Sequence, residues 1–318
     1  MAIDDSPDFR SRIRHAIDAI VGEVERRRAD TESTPGLLDA AARSFSASLE
    51  RWGRYPMLAG LVGGVRRDVV TSPGEPVELA ASLPVTIRGV TSVRFFIGET
   101  MVAEVPSEGI REVCAMRRAP APGLYPVRVE HLDARGRVLS KSSPRTLQVT
   151  RGRPVAMVHA ELFLESESGV GDALRALADQ GFELVYFDLH EKNREALIVE
   201  AIEDLGLPAG ALIVYSAAEQ ELVSLGLDFV RMFISSGIRQ LWAKGVPVTT
   251  VLTRRVASEE DARRARVRIE SPQVALARLR RDGFAADRAQ ADGMLRERAD
   301  TPRLDWWLDQ MTGTRRVG

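Results

Sequence analysis

Two apolar runs separated by a helical pattern constrain the fold of this chain more than any other feature. Val155 to Val158 is an uninterrupted apolar run of strand length, and Leu184 to Phe187 is a second one. Between them, three apolar residues recur at the spacing of one helix face: Leu174, Leu177 and Ala178. Continuous apolar runs are typical of strands that are buried on both faces of a parallel sheet. The stretch therefore predicts a βαβ unit of an α/β domain.

Polar residues follow both predicted strands. His159 and Glu161 come after the first strand, and Asp188 and His190 come after the second. In open parallel sheets the functional crevice lies beyond the carboxyl ends of the strands, and neighbouring strands are ~4.8 Å apart, so we expect the two pairs to converge. Two imidazoles and two carboxylates suit either Zn²⁺ or Mn²⁺ binding or acid–base chemistry, and the residues alone leave that choice open.

The composition indicates a globular protein and argues against a dedicated nucleic-acid binder. The chain has 318 residues, of which 44% are hydrophobic, enough for two domains or for one large domain with extensions. Its formal net charge of −1 creates no overall field that would attract nucleic acid. We therefore expect no nucleic-acid partner.

Cysteine content and hydropathy indicate the cellular setting. Cys114 is the only cysteine, which excludes an intrachain disulfide, and its apolar neighbours predict a packing role. The first residues show neither a basic leader nor an apolar core, and no apolar run is long enough to cross a bilayer. We expect a cytoplasmic location and no transmembrane segment.

Residues 1–64 predict a helical N-terminal element and a linker. Apolar residues recur at helical spacing in its first part: Phe9, Ile13, Ala16, Ile17, Ile20 and Val24. After a break, a second stripe follows: Leu38, Ala41, Phe45, Leu49 and Trp52. We interpret the two stripes as a helical hairpin, followed by a glycine-rich linker over residues 55–64.

Residues 65–150 change to short runs with two-residue alternation, which predicts a β-sandwich. The candidate strands are Val77–Ala80, Val93–Ile97, Met101–Val105, Tyr125–Leu132 and Thr146–Val149. Gly98-Glu99 and Ala134–Gly136 predict hairpin turns, and His131 is expected at the surface. The segment Ala121–Val138 resembles the penultimate hairpin of bacterial immunoglobulin-like modules, which implies a spacer or docking platform.

Residues 151–270 carry a second resemblance. The helix-containing pattern Gly169–Tyr186 is followed by a turn at Leu205–Val214 and by a further apolar strand within Pro247–Leu252. This arrangement resembles the haloacid dehalogenase (HAD) superfamily, nearest its lipin-like phosphatidate phosphatase branch, over about residues 154–269. The resemblance implies an α/β fold with a parallel sheet. In the active members of the superfamily it also implies Mg²⁺-dependent phosphatase activity.

The catalytic positions depart from the pattern that the resemblance implies. Family members attack phosphate with the first aspartate of an Asp-x-Asp motif and use the second as a general acid and base. Here His159 and Glu161 stand at these two positions. Asp188 stands where a serine or threonine would bind phosphate, and its charge would repel the substrate. An imidazole does not offer the hard oxygen donor that Mg²⁺ prefers.

The final metal-binding motif is altered as well. Thr253 and Arg254 replace its Gly-Asp pair, and Ser258 replaces its second acid. Arg254 and Arg255 would end a strand on the other side of the crevice, where an arginine can hold an anion directly. We therefore expect no cofactor. These residues do not suit Mg²⁺, and the sequence leaves open whether another divalent metal binds.

Residues 271–318 predict a C-terminal helical extension. Val274, Leu276 and Leu279 belong to a helix that Gly283 interrupts. We expect Trp306 and Trp307 to pack on the α/β domain or against the N-terminal hairpin. The alternative is that they anchor a partner, because tryptophan is enriched at interface hot spots. A protein partner or a homo-oligomer is expected through this region or through the sandwich.

These patterns describe a multidomain α+β protein: an N-terminal helical hairpin, an immunoglobulin-like β-sandwich and a HAD-like parallel-sheet domain. The hypothesis they favour is a catalytically inactive HAD-like protein that acts as a binding or scaffolding module. The alternative is a divergent HAD-type hydrolase that acts on phosphate esters or phosphatidate-like lipids.

Overall fold

The computed structural model describes residues 64–65, 67–84, 89–107, 112–164, 169–188, 195–214, 237–254, 262–263 and 266–300. These residues form a mixed α/β structure and belong to one compact unit, Glu50–Gly318. Over these ranges no helix has the length and apolar character needed to span a membrane. Some of the sequence predictions fall outside the described residues. They concern the N-terminal hairpin, His190, Arg255, Trp306 and Trp307.

The first described part of the chain is a β unit of two sheets. Its strands are β1 (Gly64–Val65), β2 (Val69–Thr71), β3 (Pro76–Ser82), β4 (Ser92–Ile97), β5 (Thr100–Pro106), β6 (Glu112–Arg118), β7 (Gly123–Leu132), β8 (Val138–Lys141) and β9 (Arg145–Val149). One sheet has the order β1-β3-β6, and the other has the order β2-β9-β7-β4-β5 with β8 paired to β7. The two sheets share one hydrophobic core, as a β-sandwich requires.

Two-residue alternation places the side chains of this core. In β4, Val93, Phe95 and Ile97 are buried, whereas the residues between them are partly exposed. This is the pattern of a strand with one face on the core. The predicted turns occur at Gly98, with a φ of 59°, and at Gly136, with a φ of 75°. Both glycines adopt the left-handed backbone conformation that the turns need.

The β unit differs from the sequence predictions in its strands and in two of its residues. Strands β1, β2, β6 and β8 were not predicted, and within β6 Cys114 is exposed rather than packed, because it faces away from the core. His131 is fully buried rather than at the surface, and its ring contacts Ser140 Oγ at 2.9 Å and the Ser82 carbonyl at 3.3 Å. The end of β7 is covered on both faces, so alternation fails there.

The second part is a parallel sheet, as the continuous apolar runs predict. Its strands are β10 (Val155–His159), β11 (Glu183–Asp188), β12 (Leu212–Val214), β13 (Val248–Leu252) and β14 (Arg268–Glu270). They lie in the order β12-β11-β10-β13-β14, and every pair is parallel. The register pairs Val155 with Glu183 and His159 with Phe187. The predicted side-by-side placement of the two apolar runs is therefore confirmed.

Helices cover this sheet on the face to which Ala156 and Val158 of β10 point. They include α1 (Glu161–Leu164), α2 (Val170–Asp179) and α3 (Glu195–Asp204). Helix α2 begins after Gly169, whose φ is 86°, and it buries Leu174 and Leu177 as predicted. A second cluster, which includes Val155, Met157 and the partly buried Trp242, fills the opposite face. The sheet is thus buried on both sides.

The C-terminal helices are α4 (Pro272–Asp282) and α5 (Ala285–Asp300). Ser271 caps α4 by accepting the Val274 N–H, and Gly283 ends it as predicted. Val274 itself is 56% exposed, so Ala275 and Leu279 form the buried stripe instead. Ala275 and Leu279 belong to the same core cluster as Ala156 and Val158, so α4 packs on the same face of the sheet as α1, α2 and α3.

The β unit and the parallel sheet are joined by side chains that hydrogen-bond to backbone. Gln148 of β9 donates to the Leu184 carbonyl at 3.2 Å and accepts the Ala211 N–H at 2.8 Å. Asp68 accepts the N–H of Thr146 with one oxygen and that of Leu212 with the other, both at 2.8 Å. These contacts fix the β unit against the strand at the end of the sheet.

Candidate functional site

The polar residues singled out from the sequence fall at the carboxyl ends of three adjacent strands. His159 is the last residue of β10, and Asp188 is the last residue of β11. Arg254 follows β13, which pairs with β10 on its other side. We call this region the carboxyl edge. It is where ligands bind in open parallel sheets.

His159 is the centre of the carboxyl edge. Its ring is fully buried and stacks on Phe187 of the neighbouring strand, with ring centroids 4.9 Å apart and an interplanar angle of 18°. Its Nδ1 lies 3.1 Å from Glu161 Oε2 and 3.4 Å from Thr253 Oγ1. A strand end, a helix start and a second strand end therefore converge on one imidazole nitrogen.

The backbone explains how Glu161 returns to His159. The Ala160 N–H donates to the Phe187 carbonyl at 2.9 Å, which prolongs the strand pairing by one residue. The chain then turns directly into α1, whose first residue is Glu161, and Leu164 closes that turn on the Ala160 carbonyl. The Glu161 side chain is 20% exposed, so one carboxylate links the buried ring to the surface.

Asp188 ends the strand that lies beside the strand of His159. Phe187 lies on the same face as His159, and the next residue of β11 points to the opposite face. Asp188 is 1% exposed and pairs in register with Val214 of β12. The structure thus brings together His159, Glu161 and Thr253, and Asp188 lies at the end of the neighbouring strand.

Two residues of this arrangement carried no functional signal in the sequence. Thr253 was noted only as the replacement of the glycine in a Gly-Asp pair, although its hydroxyl contacts His159. Phe187 was identified only as part of an apolar run, although its ring forms the surface on which the imidazole lies. The strand order would have suggested both, because it places Thr253 and Phe187 on either side of the end of β10.

The donor atoms around His159 do not match those that Mg²⁺ prefers. His159 offers an imidazole nitrogen, whereas Mg²⁺ favours oxygen ligands in an octahedral arrangement. Over the described ranges, no group of three or more His, Cys, Asp or Glu side chains has metal-binding spacing. Instead, the imidazole Nδ1 and the Glu161 carboxylate lie 3.1 Å apart.

No protein-family profile and no curated protein matches the sequence. Among solved structures, the chain is similar to fibronectin(III)-like modules of Clostridium thermocellum CbhA, with 15% identity, a TM-score of 0.23, and coverage of 27% of this chain and 89% of that chain. It is also similar to the family 28 exopolygalacturonase of Yersinia enterocolitica, with 12% identity and a TM-score of 0.20. This match covers 40% of this chain and 28% of the exopolygalacturonase.

A third similarity is to a 2,6-sialyltransferase of Photobacterium sp. JT-ISH-224. The identity is 11%, the TM-score is 0.18, and the match covers 77% of this chain and 52% of that chain. The chain thus spans about half of the sialyltransferase and less than a third of the exopolygalacturonase. These values are too low to assign the chain to a family.

Proposed function

We propose that this protein is a binding or scaffolding module built on a HAD-like parallel sheet that lacks the catalytic chemistry of the superfamily. The strand order β12-β11-β10-β13-β14 is compatible with this reading, because it places the carboxyl end of the central strand β10 between two others. The β unit, which we interpret as an immunoglobulin-like platform, is held rigidly against the sheet by Asp68 and Gln148.

The environment of His159 is the observation that carries the proposal. A nucleophile for phosphate must be reachable, and in the HAD pattern it is a carboxylate at this position. Here the position holds a fully buried imidazole that stacks on Phe187 and contacts Glu161 and Thr253. Such a ring is fitted to hold the ends of three elements together rather than to attack a substrate.

Phosphatase assays on the full chain test this proposal. Wild-type protein, His159→Ala and Glu161→Gln would be assayed on p-nitrophenyl phosphate and on phosphatidate vesicles with Mg²⁺, Mn²⁺ or Zn²⁺. We expect the same background rate for all three proteins. Turnover by the wild type that depends on a metal and is lost in both variants, with circular dichroism unchanged, would overturn the proposal.

One observation favours the alternative, a hydrolase with a rebuilt site. A carboxylate 3.1 Å from Nδ1 orients the imidazole, which is an arrangement that also serves a general base. A hydrolase of this type would show a rate that depends on Glu161 but not on added Mg²⁺. The same assays in EDTA distinguish it from the inactive protein and from a Mg²⁺ enzyme.

A further inference from the structure

A cleft of about 370 Å³ lies between the β unit and helix α3, and we call it the α3 cleft. The start of β12 also borders it, so it lies away from the carboxyl edge. Its volume falls within the range of about 300–1,000 Å³ that is typical of small-molecule sites. Such sites combine apolar walls with a few polar groups that orient the ligand.

The β unit supplies an apolar wall that contains one tyrosine ring. Leu124, Tyr125 and Pro126 line this side of the cleft. The Tyr125 hydroxyl donates to the Ala121 carbonyl at 2.8 Å. A Cβ added at Gly123 would lie 3.2 Å from the Tyr125 ring, so the ring lies against the Gly123 backbone. A ring held by these contacts offers apolar surface at little entropic cost.

Helix α3 and the start of β12 supply the opposite apolar wall. Val199 of the helix and Leu212 of the strand both line the cleft. Leu212 belongs to the core cluster on the helix-facing side of the parallel sheet, and Val199 packs against the same cluster. The packing of the core therefore fixes this wall before any ligand binds, which lowers the entropic cost of binding.

The charged side chains that line the α3 cleft in the described part of the chain are all engaged within the protein. Arg145 contacts both carboxylate oxygens of Glu195, the second at 3.3 Å. Asp68 accepts two backbone N–H groups, and Glu203 also has an interaction within the protein. A charged ligand would therefore have to compete with a partner that is already in place.

The charged groups of the cleft are also poorly hydrated. The Arg145 and Glu195 side chains are each 12% exposed. Burial raises the pKa of Asp68 above its ordinary value and lowers the pKa of Arg145, because desolvation disfavours the charged form of each group. A ligand charge placed beside them would lose its own hydration without gaining a counter-ion. The cleft therefore disfavours charged ligands of either sign.

A neutral polar group also lines the cleft. Thr146 of β9 borders it and is partly exposed. Asp68 accepts the backbone N–H of Thr146, and the hydroxyl of this threonine has no hydrogen-bond partner among the described residues. A hydroxyl can donate one hydrogen bond and accept others. Thr146 can therefore bind an uncharged polar group of a ligand without breaking an existing contact.

We propose that the α3 cleft binds a small uncharged molecule that has an apolar ring and a hydroxyl group. The ring lies between Tyr125 and Val199, and Leu124 covers its edge. The ligand hydroxyl forms a hydrogen bond with Thr146. This site and the carboxyl edge are independent, so the proposal holds whether or not His159 takes part in catalysis.

Isothermal titration of the full chain with 2-naphthol tests the proposal. At neutral pH 2-naphthol is an uncharged aromatic alcohol, whereas 2-naphthoate is an anion and 2-naphthylmethylammonium is a cation with the same ring. Val199→Trp fills the cleft, and Leu197→Trp is its matched control because Leu197 is exposed on the same helix and does not line the cleft. Thr146→Val removes the hydroxyl, and Thr100→Val is the control at an exposed strand position away from the cleft.

We expect the wild type to bind 2-naphthol saturably and to bind both charged probes at least about tenfold more weakly. Val199→Trp should abolish 2-naphthol binding. Thr146→Val should weaken it about fivefold, because a hydrogen bond between neutral groups is lost. Each control variant should change the affinity by less than about twofold.

Circular dichroism establishes that each variant is folded. Absence of saturable 2-naphthol binding by the wild type, or equal affinity for a charged probe, would overturn the proposal. Equal affinities of folded Val199→Trp and Leu197→Trp would overturn it as well. If Val199→Trp does not fold, Thr146→Val decides, and an affinity equal to that of Thr100→Val would overturn the proposal.

Discussion

Two fully buried histidines occupy different regions of the molecule, and they differ in the charge of their partners. His131, in the β unit, has neutral oxygens at both ring nitrogens, one from Ser140 and one from Ser82. His159, at the carboxyl edge, has the Glu161 carboxylate beside Nδ1. Both side chains have 0% exposure. Burial alone therefore does not distinguish a structural histidine from a candidate functional one.

The partners explain what each ring can do. A ring between a hydroxyl and a carbonyl, away from water, is stable when neutral, and burial holds the pKa of His131 below its ordinary value of 6.5. The ring of His159 instead has a charged partner beside Nδ1, and that carboxylate is 20% exposed. The comparison predicts that His131 contributes to folding and that Glu161 contributes mainly to the properties of His159.

The largest expected effect is that of His131→Ala. It leaves a cavity between the two sheets and removes both hydrogen bonds, so we expect the free energy of unfolding to fall by about 3 kcal/mol. Urea denaturation followed by circular dichroism measures it. Ser140→Ala removes one of the two partners and should cost about 1 kcal/mol. Equal losses for the two variants would contradict the structural role assigned to the ring.

Acidification should act on the same residue with a smaller effect. Because the pKa of His131 is lower in the folded state than in the unfolded state, the unfolded state binds its proton first as the pH falls. The contribution that neutral His131 makes to the free energy of unfolding is fully present above pH 6.5. This contribution is lost as the pH falls from 6.5 through the lowered pKa of the folded state. Urea midpoints measured across this window should fall less steeply for His131→Gln than for the wild type. Parallel pH profiles would show that His131 does not titrate in this way.

The smallest expected effect is that of Glu161→Gln. The amide oxygen can still accept a hydrogen bond from Nδ1, and the side chain is 20% exposed, so we expect a loss below about 1 kcal/mol. The measurement is the same urea titration at pH 7. A loss as large as that of His131→Ala would mean that the carboxylate is part of the fold, and the contrast between the two histidines would disappear.

The sequence predicted the parallel sheet well because the signal was local. Val155–Val158 and Leu184–Phe187 are continuous apolar runs, and such runs require cover on both faces. Sequence reasoning failed at His131 for a related reason. Consecutive residues at the end of β7 are buried, and a one-face alternation rule cannot show that the second face is also covered.

The candidate site was less predictable because its contacts cross the chain. Thr253 and His159 are 94 positions apart, and only the strand order brings them together. The predicted convergence of the two polar pairs depended on residues that follow strand ends. The pairing of His159 with Phe187 depends on the register between β10 and β11, which composition and spacing do not contain.

The hydrogen bond from Leu212 to Asp68 has a consequence for aggregation. In the described part of the chain, β12 is the outermost strand of its sheet, and the Leu212 N–H is taken up by a carboxylate rather than left open. Exposed strand edges recruit other chains. A fragment that begins after Thr150 would lack Asp68. Its β12 edge would then have an unpaired backbone N–H that can hydrogen-bond to other chains and promote aggregation.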